Sequence, residues 1–224
     1  MRLLLALALA MGHAAPLLAQ QALPLRAGMV ITTSTRIVPG VYELPASGDS
    51  AVITIRGRDI TVDFAGATLR GTRDRTAPDE RGGIGIRIIG GSNVTIKNAR
   101  IHGYKVGIIA NGTRNLVLLD NDVSHNWKPR LFSLVEHESL VDWLSHHKND
   151  NDEWLRFGAA IYLSDVRGGV VRGNRIEQGF EGLMLTRSDS LRIWNNTIEF
   201  NSGIGIGLYR SSFNTIVHNH ASFN

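Results

Sequence analysis

Hydrophobic residues in the last third of the chain fall into columns. Gly158 to Asn224 reads as three near-copies of one unit: GAAIYLSDVRGGVVRGNRIEQGF, EGLMLTRSDSLRIWNNTIEFNS and GIGIGLYRSSFNTIVHNHASFN. Three apolar columns run through them: Ile161, Leu183, Ile206; Val171, Ile193, Ile216; and Ile176, Ile198, Ala221. In each the first step is 22 residues and the second 23. A fourth column is asparagine: Asn174, Asn196, Asn219. A fixed period of this size marks a solenoid. The columns continue upstream through Ile86 and Ile108, Ile96 and Leu118, Ile101 and Val123, with Asn121 ahead of Asn174. The step from Val123 to Ile176 is 53, one period of 22 plus an insertion of 31 residues, 127–157.

Inside each unit the apolar residues alternate with polar ones over three to six positions and stop at Gly, Asn or Ser, which is strand periodicity bounded by turns. Three strands fill 22 residues and leave no room for a helix. Ala51 to Gly71 is the first clear coil, with Ile60, Val62 and Phe64 at every second position. Residues 27–47 read as an N-terminal cap and partial coil, with Pro39-Gly40 as a turn. About ten extra residues, Thr72 to Gly82, read as a charged loop between coils, either solvated or in contact with substrate. β-Branched columns on this period predict a parallel β-helix, in which residues one period apart stack at about 4.8 Å. The asparagine column then sits at a turn, where Asn tolerates left-handed backbone angles and its amide bonds to the next Asn.

The repeats GIGIRIIGGSNVTIKNARIHGY and VGIIANGTRNLVLLDNDVSHN, with the three copies above, resemble the right-handed parallel β-helix superfamily. That superfamily includes pectate and alginate lyases, polysaccharide epimerases and the periplasmic β-helix proteins of nitrous-oxide-reductase maturation. The resemblance covers about Ser50 to Asn224 apart from the insertion. It implies an all-β, right-handed parallel β-helix of 22–23-residue coils with one helical insertion. It also implies a polysaccharide ligand and, if the protein is catalytic, β-elimination or C5 epimerisation of a uronide.

The insertion, WKPRLFSLVEHESLVDWLSHHKNDNDEWLRF, differs in kind from the coils. Ser133 followed by Glu136 is a capping-box pattern. Leu134, Leu140, Val141 and Leu144 give a helical stripe. A helix over 134–147 would line Glu138, Asp142 and His146 along one face, flanked by His137 and His147. Such a face either does acid/base work or holds a divalent cation at a cleft edge, or is simply solvated. His137-Glu138 lacks the HExxH spacing of a zinc protease. The run Asn149 to Glu153 offers oxygen ligands to calcium but lacks the glycine and distant glutamate of an EF-hand, so calcium stays open as a cofactor.

Beside the insertion the first strand of each coil carries outward Tyr162 and Met184. Asp165, Arg187 and Arg210 form a column just beyond, with Tyr209 adjacent. Stacked arginines repel unless an acid or an anionic ligand lies over them. Glu177 and Glu199 stack on another face between Ser124 and Ser222, where like charges raise a pKa, hold a cation or splay apart. His218 and His220 alternate around Asn219 and are candidate metal ligands resting on one short pattern. For uronide chemistry the expected roles are as follows. Arg187 or Arg210 neutralises the sugar carboxylate. Tyr162, His137 or His146 serves as base or acid. Glu138 or Asp142 orients the histidine. Trp143, Trp154, Tyr209 and Arg210 contact substrate.

Composition adds a destination. Met1-Arg2, the uncharged run Leu3 to Met11 and small residues before Gln20 read as a signal peptide over 1–19, leaving 20–224 as a single domain. The apolar run is too short to span a bilayer. With no cysteine there is no disulfide frame. The net charge of +4 is mild and scattered, without the basic clusters and interleaved aromatics of a nucleic-acid binder. The chain stops at Asn224 without a cap, so a C-terminally incomplete solenoid is expected. The reading is a secreted or periplasmic protein that acts on or binds an acidic polysaccharide. The alternative is a non-enzymatic β-helix that binds carbohydrate, delivers metal or is structural.

Overall fold

The computed structural model describes residues 22–72, 76–139 and 158–224. Each coil runs through three faces. In one coil these are Ile84–Ile89, Ser92–Lys97 and Arg100–His102. Stacking the coils gives a seven-stranded first face, an eight-stranded second face and a third face of two three-stranded sheets. Bridges from Asp122 to Arg100 and Arg175 join the two halves of the third face. Every pairing between strands is parallel, as a solenoid with one hand of winding requires. The register is the one the columns predict: Ile86, Ile108, Ile161, Leu183 and Ile206 pair in turn, as do Ile96, Leu118, Val171, Ile193 and Ile216. Side chains of these columns as far as Leu183 and Ile193, with those of the Ile101, Val123, Ile176 and Ile198 column, fill one continuous core; Ile206 packs against it and Ile216 is exposed. The stretch expected to cap the solenoid adds Met29–Ile31, Thr35–Ile37 and Val41–Glu43, one strand to each face.

Small residues let the first and third faces meet. Gly85, Gly107, Ala160, Gly182 and Gly205 occupy one position of successive coils. A Cβ on Gly182 would lie 2.3 Å from the Gly205 carbonyl oxygen and 2.9 Å from Ile198 Cγ2, so Gly182 has no space for a side chain.

The asparagine ladder forms, by a different local route from the one expected. Left-handed angles fall on the residue before each ladder asparagine: Asp120, Gly173, Asn195 and His218. The ladder residues themselves are not left-handed. Instead the Oδ1 of Asn174 accepts both the backbone N–H and the side-chain amide of Asn121, each at 3.0 Å. Its Nδ2 donates to the Leu118 and Arg172 carbonyls. Asn196 does the same for Asn174, and Asn219 for Asn196. Each buried amide thereby satisfies turn groups that have no strand partner. A second ladder, Asn201 to Asn224, follows the third face, with Asn126 accepting the Tyr104 N–H two coils earlier.

The helix expected over 134–147 does not form in its described part. Leu134 and His137 exchange backbone hydrogen bonds of 2.8 and 3.1 Å across a tight turn. The Ser133 hydroxyl accepts from the Ser139 N–H, six residues on, so the expected capping box is absent. The turn satisfies locally the groups a helix would have used. Residues 140–157 lie outside the described residues. Both interruptions of the ladder leave from the same corner, between third and first faces, and they touch. Arg81 donates to the His125 and Asn126 carbonyls at 2.6 and 3.0 Å, and Trp127 Nε1 donates to the Asp79 carbonyl at 3.0 Å.

Asn174→Ala orphans the buried Asn121 N–H and the carbonyls that Asn174 serves. At roughly 1–3 kcal/mol per unsatisfied buried group, the loss expected in urea denaturation is about 3 kcal/mol. A loss below about 1 kcal/mol would show that the ladder does not hold the turns.

Candidate functional site

On a solvated sheet the outward positions should be polar. On the first face most are not. One outward column reads Thr54, Arg87, Ile109, Tyr162, Met184 and Gly207, and another Ala51, Ile84, Val106, Ala159 and Glu181. Ile84, Val106, Ile109, Ala159, Tyr162 and Met184 form a second apolar cluster outside the solenoid core, with Ile204 and Tyr209 against it. Tyr162 and Met184 have 0% exposure, so the expected outward pair is covered. A phenol in that position does not meet a polymer arriving from solution.

Glu181 lies in the same buried face, and the sequence reading missed it. Its Oε2 accepts the Ile204 N–H at 3.2 Å. Burial pushes its pKa up to about 8, against the small opposing effect of that hydrogen bond. The signal was available: Glu181 is the one acid in a column of Ala, Ile and Val. Next to it Phe180 meets Trp127 edge to face at 5.7 Å, and Lys105 Nζ lies 5.7 Å from the Trp127 ring centre. A groove of about 390 Å³ opens between the two interrupting segments, lined by Pro78, Asp79, Glu80, Lys128, Pro129 and Arg130, with Ala77 at its edge.

The corner between first and second faces carries the arginine column. Asp165, Arg187 and Arg210 all have left-handed backbones there. Arg187 grips Asp165 with two hydrogen bonds of 2.8 and 2.9 Å and reaches the Ser164 hydroxyl at 3.1 Å. The Arg187 hydrogen bonds hold the Asp165 carboxyl below its ordinary range. Arg210 packs its guanidinium 5.2 Å from the Tyr209 ring centre. The acid, rather than a ligand, therefore relieves one of the two stacked arginines.

The third-face glutamates are also paired. Glu177 takes both nitrogens of Arg175, at 2.8 and 2.7 Å. Glu199 accepts from Ser222 at 2.9 Å and is bridged to His220. His218 is a left-handed corner residue. Further along this face His102 Nε2 lies 3.4 Å from Asp122, and its ring stands 5.9 Å from that of His125. Burial raises the Asp122 pKa, but hydrogen bonds from His102 and Ser124 outweigh it and bring it to about 2. Burial and the His102 charge push His125 down. Among the described residues no group of three or more His, Asp or Glu is placed to hold a metal ion.

His137 and Glu138 are exposed at the turn that replaces the expected helix. Asp142, Trp143, His146 and Trp154, and the Asn149–Glu153 run, lie outside the described residues. The structure thus joins Tyr162 with Met184 and Tyr209, Tyr209 with Arg210, and Arg187 with Asp165.

Residues 45–224 match the family model described as NosD, periplasmic copper-binding protein. The chain belongs to the NosD family. Among curated proteins none matches it. Solved structures similar to this NosD-family chain include the Dettilon tailspike protein gp208, with a TM-score of 0.43 at 13% identity. Tailspike protein 2 of bacteriophage CBA120, in its enzymatically active domain, gives 0.44 at 11%. In both, 84% of this chain is covered and 38% of the tailspike, so the chain spans well under half their length. The A-module of mannuronan C-5 epimerase AlgE6 from Azotobacter vinelandii gives 0.27 at 10%, covering 84% of this chain and 67% of that one. The family is periplasmic by description, and among the described residues no helix is long and apolar enough to cross a membrane.

A carboxyl that stays protonated in the folded state while the unfolded chain has lost its proton costs stability as pH rises. For Glu181 the free energy of unfolding falls between the ordinary glutamate range and about 8, and levels above it. Urea denaturation of wild type and Glu181→Gln at about pH 5 and about pH 9 should show the two close at the lower pH and the variant more stable at the higher. Parallel pH profiles would show that Glu181 is charged throughout.

Proposed function

We propose that this protein is an exported β-helix protein that binds an acidic polysaccharide along the corner between its first and second faces. One observation carries the reading. Arg56, Arg58, Arg114, Arg167, Arg187 and Arg210 lie along this edge in every coil but that of Ser92, against three acids, Asp59, Asp165 and Asp189. All three acids are engaged within the protein: Asp59 by the Asn93 amide, Asp165 by Arg187, and Asp189 by the Ser212 N–H. Most of the edge therefore presents guanidinium groups, which bind carboxylates through paired N–H donors. Tyr209 beside Arg210 adds a ring on which a sugar can stack. The signal-like N-terminus and the periplasmic family agree with export.

Lyase or epimerase chemistry at such a polymer needs, besides an arginine, a base for the C5 proton. His137, Glu138, Asp142 and His146 remain the residues expected to supply and orient it, and calcium the ion expected to help. A second reading follows from the family description, which is of a copper-binding protein. In this chain copper would meet His102 and His125 beside Asp122 or, several coils further along the same face, His220 beside Glu199.

Titration calorimetry with alginate and pectate, with and without calcium, tests the first reading. Binding should weaken by about tenfold or more as salt rises from low to physiological strength, since exposed charge pairs are screened. Equal binding of neutral dextran would overturn it. A rise in unsaturated-uronide absorbance, lost in Arg187→Ala and His146→Ala, would make the protein a lyase. Copper bound in stoichiometric amount, with no polysaccharide binding, would favour the second reading.

A further inference from the structure

The basic edge contains a groove that the sequence reading did not single out. Gly57, Arg58, Gly91, Ser92, Gly112 and Arg114 line an open channel of about 480 Å³ across three successive coils. Arg58 pairs in register with Ser92, and Ser92 with Arg114, so the two guanidinium groups flank one hydroxyl. The floor is backbone. A Cβ on Gly91 would fall 1.9 Å from the Gly57 carbonyl oxygen, so this position stays bare while coils pack at this distance. The side chains of Arg58 and Arg114 are exposed and make no hydrogen bond or ion pair with the described residues, unlike that of Arg187, which grips Asp165. The nearest acid, Asp59, is turned to the exposed amide ladder of Asn93 and Asn115.

We infer that this groove is the first part of a track that holds an acidic polysaccharide parallel to the solenoid axis, passing from Arg58 and Arg114 over Arg167 to Arg187 and Arg210. The inference rests on the polysaccharide reading and adds its place, direction and length. Arg58 and Arg114 are two coils apart, about 10 Å, and the whole edge crosses five coil spacings, about 24 Å. A sugar of an extended uronate chain is about as long as one coil is thick. Carboxylates on such a chain then meet guanidinium groups repeatedly without the chain bending, while Ser92 and the glycine floor receive ring hydroxyls. A single-stranded nucleic acid fits less well, because no lining residue of the groove is aromatic and base stacking has no platform. A chain that engages several arginines at once binds more tightly than a short piece engaging one.

The test uses the full-length protein with di-, tetra-, hexa- and octauronates of alginate or pectate, with fluorescence anisotropy as readout. Affinity should climb by at least about tenfold from the dimer to the hexamer and then level off. Arg58→Glu with Arg114→Glu should remove most of that climb. Arg58→Gln with Arg114→Gln should give an intermediate loss. Both sites are exposed, so circular dichroism and the melting temperature should match wild type. Length-independent binding, or a climb that survives the double reversal, overturns the track. If Arg210→Glu still weakens binding in that case, the polysaccharide reading stands without it. No binding of any uronate overturns both. Tighter binding of polyphosphate or single-stranded DNA than of the hexauronate overturns the ligand class.

Discussion

Every coil of this solenoid must repeat the backbone path of its neighbours, or the parallel ladders between them break. That constraint makes each side chain a member of a column and gives a column one environment. Apolar columns facing inward become the core. At the turns, where backbone groups lack strand partners, Asn121, Asn174, Asn196 and Asn219 pass hydrogen bonds from coil to coil. The ladder does for the turns what the sheet does for the faces. A charge in a column is also repeated or answered at a fixed distance, as Arg187 is answered by Asp165.

The columns were legible in the sequence because stacking copies one residue type at one period. Ile161, Leu183 and Ile206 needed no structure to be aligned. Other features were hidden for physical reasons. Left-handed backbone at Asp120, Gly173, Asn195 and His218 follows no residue type, since the neighbouring asparagine makes the turn worthwhile for whichever residue occupies it. The helix expected from Ser133 and Glu136 rested on a local pattern, and a turn between Leu134 and His137 satisfies the same groups within four residues. For the candidate site, the Arg187–Asp165 pair was visible as a column of opposite charges. Glu181 was hidden because an acid in a strand reads as solvent-facing, and only the cover over the first face buries it.

The first face departs most from a simple solenoid. Its outward side is apolar around Tyr162 and Met184 and has little contact with water. Burial there removes Tyr162 from direct contact with solvent and raises the affinity of Glu181 for its proton. What that face leaves open to solvent is its edges: the basic corner on one side and the meeting point of the two interrupting segments on the other. The two edges differ in kind. The basic corner is regular and follows the coils, whereas the other is built from residues that interrupt them.

That meeting point also changes how the solenoid comes apart. Stacked coils couple only to nearest neighbours, so such a protein can unzip from an end one coil at a time. Here Arg81 and Trp127 tie the segment before the coil of Ile84–His102 to the segment after the coil that begins at Val106. The link spans the coils between and joins elements that a plain repeat leaves independent. Unzipping through the coils beyond Gly158 would release them singly, then reach a block whose coils must part together. The two interruptions thus act as a clasp around the two coils that lie between them.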